Sequence, residues 1–201
     1  MDEQQVGLSV ESSFDTNNIP PLPEEKPENG FWAIAKVVIV SMAIVLPIRA
    51  FVIQPFIVQG ASMEPNYHES EYLVVDELSY NFTAPKRGDV IVFRYPRNPS
   101  QFFIKRIIGL PGERVEIRGG DVFIRANKTA EAIKIAEPYL PSDLKTSPDT
   151  ITDLDEKEYF MMGDNRFHSS DSRQWGVLDE KYIIGRSWIR LWPITRIGIL
   201  T

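Results

Sequence analysis

From Phe31 to Ile48 the chain is apolar except for Lys36, and apolar character returns after Arg49 as far as Val58. Such a run leaves few structural options. A bilayer-spanning helix needs roughly 20 mostly apolar residues, and a lysine near one end can carry its ammonium out to the interface. Phe31 and Trp32 suit that same interface. The run therefore predicts a single, uncleaved transmembrane helix over residues 31–52. The alternatives are a buried core helix or a cleaved targeting segment, but the latter would want a basic start and this run follows an acidic stretch. Lys26 and Lys36 lie at the near end and Arg49 at the far one, so the positive-inside bias is too slight to orient the span.

Residues 1–30 carry Pro20, Pro21, Pro23 and Pro27 among Glu24, Glu25 and Glu28, without a periodic apolar pattern. Burial there could not offset the entropy of ordering, so a disordered acidic tail is expected. A length of 201 residues allows one core-bearing domain of about 100–150 residues beyond these appendages. The net charge of −6 gives no sequence-wide attraction to nucleic acid. The lack of cysteine excludes disulfides, thiolate catalysis and cysteine zinc sites together. Imidazole can come only from His68 and His168, so a His-rich metal site is not expected.

After residue 50 the pattern turns strand-like. Short β-branched or aromatic segments bounded by Gly, Pro or Asn predict strands at 53–58, 72–76, 89–95, 102–110, 114–118, 122–125, 159–162 and 183–192. Arg118-Gly119-Gly120-Asp121 is a strong hairpin signal, and Pro111-Gly112 marks another turn. The expected fold is mainly β: a transmembrane helix, then an antiparallel β catalytic domain over 53–201 with Greek-key or barrel-like closure. Between about 126 and 158 the pattern lapses into Pro138, Pro141, Pro148 and an acidic run, which reads as a small cap insertion on the surface. Within it, 130–136 could form a short helix or strand. Asn127-Lys128-Thr129 matches a glycosylation acceptor, a triplet common by chance.

Three places could carry chemistry. Gly60-Ala61-Ser62-Met63-Glu64-Pro65 puts a serine at a bend. Lys105 lies in an apolar strand, where Phe103, Lys105 and Ile107 share one face and Arg106 points to the other. A lysine acts as a base only when neutral, so its pKa of about 10.4 must fall by roughly 2–4, a demand of roughly 3–5 kcal/mol that burial can supply. The plainer reading is a lysine reaching solvent from a sheet edge. Third, the segment from Gly163 to Arg173 holds Asp164, Arg166, Asp171 and Arg173 with Ser169 and its neighbours between them. It reads either as a salt-bridge knot or as a loop that orients the base. A Ser-His-Asp triad drawn from Ser62 or Ser169, His68 or His168, and Asp171 is also conceivable.

In four ordered motifs the chain resembles the type I signal peptidases (leader peptidases), membrane-bound Ser-Lys proteases. These are Ser62-Met63-Glu64-Pro65, Arg87-Gly88-Asp89-Val90-Ile91-Val92-Phe93, Lys105-Arg106-Ile107-Ile108-Gly109-Leu110-Pro111-Gly112-Glu113, and Gly163-Asp164-Asn165-Arg166 through Asp171-Ser172-Arg173. The resemblance implies Ser62 as nucleophile, Lys105 as general base, and Ser169 as the hydroxyl orienting the amine. It also implies Asp171 and Arg173 as a bracing ion pair, with Asp164 and Arg106 close by. Some members place an oxyanion-donating hydroxyl two residues before the nucleophile; here that position is Gly60, so the hole is expected to rely on the backbone N–H of Ser62. A second departure is Asn66-Tyr67, where Thr-Leu is commoner.

By the same resemblance the substrates are signal peptides of exported preproteins, cut after small residues without metal, cofactor or nucleic acid. The single span and short cap look like bacterial or cyanobacterial members. The tail would be cytoplasmic and the catalytic domain extracytoplasmic, at a plasma or thylakoid membrane, with Phe56, Trp188 and Trp192 candidates to meet the bilayer or simply to fill the core. Two rivals remain: a self-cleaving repressor of Ser-Lys type, which would need a soluble DNA-binding domain, and an inactive membrane-anchored scaffold of the same fold.

Overall fold

The computed structural model describes residues 30–51 and 53–200, with side chains placed at 30–45 and 55–200. Apart from Gly30, the expected acidic tail lies outside them. Where the apolar run predicts a helix there is one, α1 (Gly30–Phe51). Apart from Lys36 and Ser41 its described side chains are apolar, and most are exposed, among them Ile34, Val37, Val38, Ile39, Val40 and Ile44. A helix apolar all round belongs either in a core or in lipid. Among the described residues, however, no helix is long and apolar enough to cross a membrane. The expectation of a transmembrane helix over 31–52 thus reduces to an apolar helix.

The remainder is an antiparallel β body, as the alternating pattern implies. Its strands are β1 (Ile53–Ile57), β2 (Tyr72–Asp76), β3 (Val90–Tyr95), β4 (Asn98–Gly109), β5 (Arg114–Arg118), β6 (Asp121–Arg125), β7 (Ile133–Lys134), β8 (Thr150–Asp153), β9 (Glu158–Met162), β10 (Leu178–Asp179), β11 (Ile183–Trp192) and β12 (Gly198–Ile199). A large sheet runs β1-β2-β11-β3-β4-β9-β10, with β12 beside β11, and a four-stranded sheet runs β7-β6-β5-β8. The eight predicted strands all form. In the Gly119-Gly120 hairpin both glycines have positive φ, 58° and 84°, as a tight two-residue turn requires.

Strand β4 positions the site. It pairs with β3 on one side (Ile91 opposite Lys105) and β9 on the other (Arg106 opposite Met162). Period two sends alternate side chains into different cores. Phe103 and Ile107 join Ile91, Phe93, Met161 and Trp175, whereas Ile108 packs with Val115, Ile117, Val122 and Phe160 between the sheets. Each such large apolar side chain stabilises the fold by about 1.5–3 kcal/mol. A third cluster, Val58, Met63, Tyr67, Leu73 and Val90, lies under the turn that follows β1. At Gly109 a Cβ would meet Val115 and Leu154, so only glycine lets β4 pass this close to β5.

The segment 126–158 is more than the surface insertion expected. Its β7 and β8 complete the smaller sheet on either side of the β5–β6 hairpin, because a two-stranded hairpin is marginal alone and needs covered edges. Ile135 and Tyr139 pack on the core between the sheets.

Candidate active site

Ser62 lies in the connection between β1 and β2. The ladder continues past both strands, with Val58 N–H donating to Glu71 O and Ser70 N–H to Val58 O. Overlapping turns then form, Glu64 N–H to Ala61 O and both Asn66 and Tyr67 N–H to Met63 O. The neighbouring Met63 side chain is fully buried and pins the turn, leaving the half-buried Ser62 hydroxyl facing a cleft. Gly60 has φ 77°, a region that favours glycine over any side-chain-bearing residue. That gives a conformational reason for the missing hydroxyl.

Lys105 meets this serine. Its Nζ lies 2.6 Å from Ser62 Oγ and donates to Ile104 O at 2.9 Å. The side chain is 4% exposed, which rules out the plainer reading of a lysine in solvent. Burial lowers its pKa from 10.5 to about 8, against the opposing pull of the negative charges on Asp171 and Asp164. The ring of Phe103 lies 5.3 Å from the amine.

The Gly163–Arg173 segment resolves into three separate ion pairs. Arg106 Nε and NH2 grip Asp164 at 2.8 and 2.6 Å, both residues buried. Arg173 grips Asp171 at 2.8 and 2.7 Å, and Asp171 also accepts from Gly163 N–H and from the Arg173 N–H that opens the short helix α2 (Ser172–Trp175). Burial opposes the charge on Asp171, but these donors outweigh it and hold its pKa below the ordinary value. Arg166 reaches instead into the 126–158 segment, to Glu137 and to Thr146 Oγ1 at 2.5 Å. The knot reading holds, and each pair ties a different element.

Ser169 is buried beside this knot, but its hydroxyl has no hydrogen-bond partner. The expected bond to the lysine amine is therefore not formed. The hydroxyl lies against Gly163 and the Ser62 carbonyl, where a Cβ on Gly163 would strike both. It is near enough to Asp171 to favour that carboxylate's charged form. No Ser-His-Asp triad assembles: His68 Nδ1 lies 3.7 Å from Glu64 and His168 Nδ1 3.3 Å from Asn165 Oδ1.

A cleft of about 610 Å³ opens onto Ser62 and Lys105, walled by Phe56, Val58, Phe102 and Ile104. Phe56 and Phe102 meet edge to face, 5.7 Å between centroids. Trp188 and Trp192 are 38% and 49% exposed, so neither is a core aromatic. What the cleft offers chemically is a hydroxyl nucleophile in contact with an amine that deprotonates near neutrality, beside apolar walls.

Residues 31–192 match the family model described as signal peptidase, peptidase S26. The chain belongs to the signal peptidase family. Among relatives, signal peptidase I of Leptolyngbya laminosa is 34% identical over 206 residues, covering 96% of this chain and 97% of the relative. The probable signal peptidase I-2 of Synechocystis is 32% identical over 183 residues, covering 89% and 81%. A crystal structure of a signal peptidase I from Enterococcus faecalis is 31% identical, with a TM-score of 0.44, covering 52% of this chain and 97% of that one.

Within this signal peptidase, two asparagines that the sequence reading named without a role have one. Asn165 N–H donates to Ser62 O at 3.0 Å and its Nδ2 to Ala61 O at 3.1 Å, which fixes the front of the nucleophile turn. Asn66 Nδ2 donates to Asp164 Oδ2 at 2.8 Å and to Tyr139 O at 2.9 Å, and that accounts for one half of the Asn66-Tyr67 departure. Tyr67 accounts for the other half: it fills the core under the turn, and the Arg190 guanidinium lies 5.5 Å from its ring centroid.

Proposed function

We propose that this serine endopeptidase removes signal peptides by a Ser62–Lys105 pair. The observation that carries the reading is the 2.6 Å contact between Lys105 Nζ and Ser62 Oγ in a buried, cleft-facing position. With Lys105 neutral, the contact runs in the productive sense, the Ser62 hydroxyl donating to the amine lone pair. Lys105 takes that proton as Ser62 Oγ attacks the scissile carbonyl, then delivers it to the leaving amine as the C–N bond breaks. A water then attacks the acyl-enzyme, its proton passing to Lys105 and on to Ser62 Oγ, which releases the acid and restores the pair. The oxyanion would be received by the backbone N–H of Ser62, next to Gly60. Asp171 and Arg173 would hold the loop that carries Ser169, whose hydroxyl would turn to the amine once substrate orders the cleft.

The family match also supports a set of partners. Preprotein signal peptides would lie along the cleft, and the apolar helix α1 would anchor the enzyme to a lipid bilayer, its exposed apolar side chains being suited to lipid. The tail would face the cytoplasm and the β domain the far side. No cofactor enters the scheme. The inactive-scaffold alternative has no observation in its favour.

The test is cleavage of a preprotein with an Ala-x-Ala site, in detergent, by wild type, Ser62→Ala and Lys105→Ala. Wild type should cut after the final Ala, and each variant should lose about a thousandfold or more, as members of one catalytic unit do. If Lys105→Ala retained most of its rate, the lysine would not be the base.

A further inference from the structure

We propose that Asn66 is a positioning residue that closes a ring of contacts around the nucleophile and the base. The inference rests on the Ser62–Lys105 reading above. Starting from Ser62, the ring passes to Lys105 through the amine contact, then along one peptide unit of β4 to Arg106. From Arg106 it crosses to Asp164 through two hydrogen bonds, and from Asp164 to Asn66 through one. The three turn residues Met63, Glu64 and Pro65 bring it back to Ser62. Every link but the Asn66 amide is covalent, bidentate or part of the reacting pair. That amide bonds the rear of the nucleophile turn to the carboxylate gripped by the strand that carries the base.

The same amide makes a second contact of a different kind. Its other N–H reaches the carbonyl of Tyr139 in the 126–158 segment, and the Tyr139 ring lies under the Arg106 guanidinium, 3.9 Å from its centroid. Asn66 O accepts from Arg190 NH2 at 2.6 Å, so β11 holds the backbone of the residue whose side chain holds Asp164. The groups facing Asn66 are therefore Arg106 from β4, Asp164 from the loop after β9, Arg190 from β11, Tyr139 from the insertion and Tyr67 beside it in the turn. Asp164 and Asp171 are the charges that act on Lys105.

An amide suits this junction because it offers two N–H donors, one for a carboxylate and one for a carbonyl. A threonine hydroxyl can serve only one of them. A carboxylate would set a second negative charge against Asp164, itself one of the charges that act on the lysine.

The test uses the full chain in detergent micelles and a peptide spanning an Ala-x-Ala site, with kcat and KM followed from pH 6 to 10. Asn66→Ala is expected to lower kcat about tenfold with KM little changed, the scale of one lost hydrogen bond to a charged group. Asn66→Asp is expected to lower it further and to move the acid limb to higher pH, since added negative charge favours the ammonium. Asn66→Thr should fall between wild type and Asn66→Ala. If Asn66→Ala and Asn66→Asp keep the wild-type kcat and acid limb within about twofold, or lose only thermal stability while the limb stays put, the proposal is overturned and Asn66 is merely structural. Should wild type itself fail to cleave while folded, the Ser62–Lys105 reading falls and takes this one with it. Cleavage by wild type with unaltered Asn66 variants sinks this one alone.

Discussion

Lys105 and Arg106 are consecutive residues on one strand, both buried, both basic, and they are treated in opposite ways. Arg106 turns to a carboxylate that it grips twice and to Gly88 O at 2.8 Å, and its pKa rises because Asp164 outweighs the effect of burial. Lys105, on the other face, finds only a hydroxyl and a carbonyl, and its pKa falls. The difference shows what makes a buried cation structural or reactive. Burial is common to both, and what separates them is whether a full counter-charge is in contact.

The strongest way to break the comparison is to remove the counter-charge from Arg106. Asp164→Ala leaves the guanidinium buried and unpaired, and is expected to destabilise the protein by about 3–5 kcal/mol in denaturant unfolding. A loss below about 1 kcal/mol would mean that water reaches Arg106 and the pair is not dry.

Next in size is the opposite operation on Lys105. Its folded-state pKa lies below the unfolded one, so the folded state is penalised while the amine is charged. The penalty, about 3 kcal/mol, is full below about pH 8 and fades as pH rises towards the unfolded value near 10.5. Lys105→Met should therefore stabilise the fold by up to that amount at pH 6–7 while abolishing cleavage, and the gain should shrink by pH 10. Equal gains at both pH values would show that packing, not charge, is responsible.

The smallest effect tests the turn that presents the serine. Gly60→Ser meets no atom within 4 Å, so only backbone strain at φ 77° opposes it, and a stability loss of about 1–2 kcal/mol is expected. A variant as stable as wild type and faster in cleavage would show that the turn relaxes enough for a hydroxyl to join the oxyanion hole.

Much of this was legible in the chain, and the exceptions have a common cause. Strands long enough to show an apolar alternation were found close to their true limits. The two-residue β7, β10 and β12 and the half-exposed β8 were not, since a short edge strand is defined by its neighbour's hydrogen bonds rather than by its own sequence. The apolar face around Lys105 left a neutral amine and a solvent-reaching lysine both open, with the second the plainer, and the four motifs pointed to the first. Asn66 was noticed only as an oddity, because its acceptors lie 73 and 98 residues away. Ser169 was placed in the right loop, yet its hydroxyl points elsewhere, a choice of rotamer that no sequence pattern encodes. The long apolar run was read from its composition, and a helix forms there.

The order of the large sheet has a consequence for how the protein comes into being. Strand β11 sits between β2 and β3, although seven other strands separate it from β3 along the chain. Until it pairs, two inner strands have bare edges, and Arg190 does not hold the carbonyl of Asn66. The rear of the turn that carries Ser62 is therefore braced only once this long-range pairing has closed.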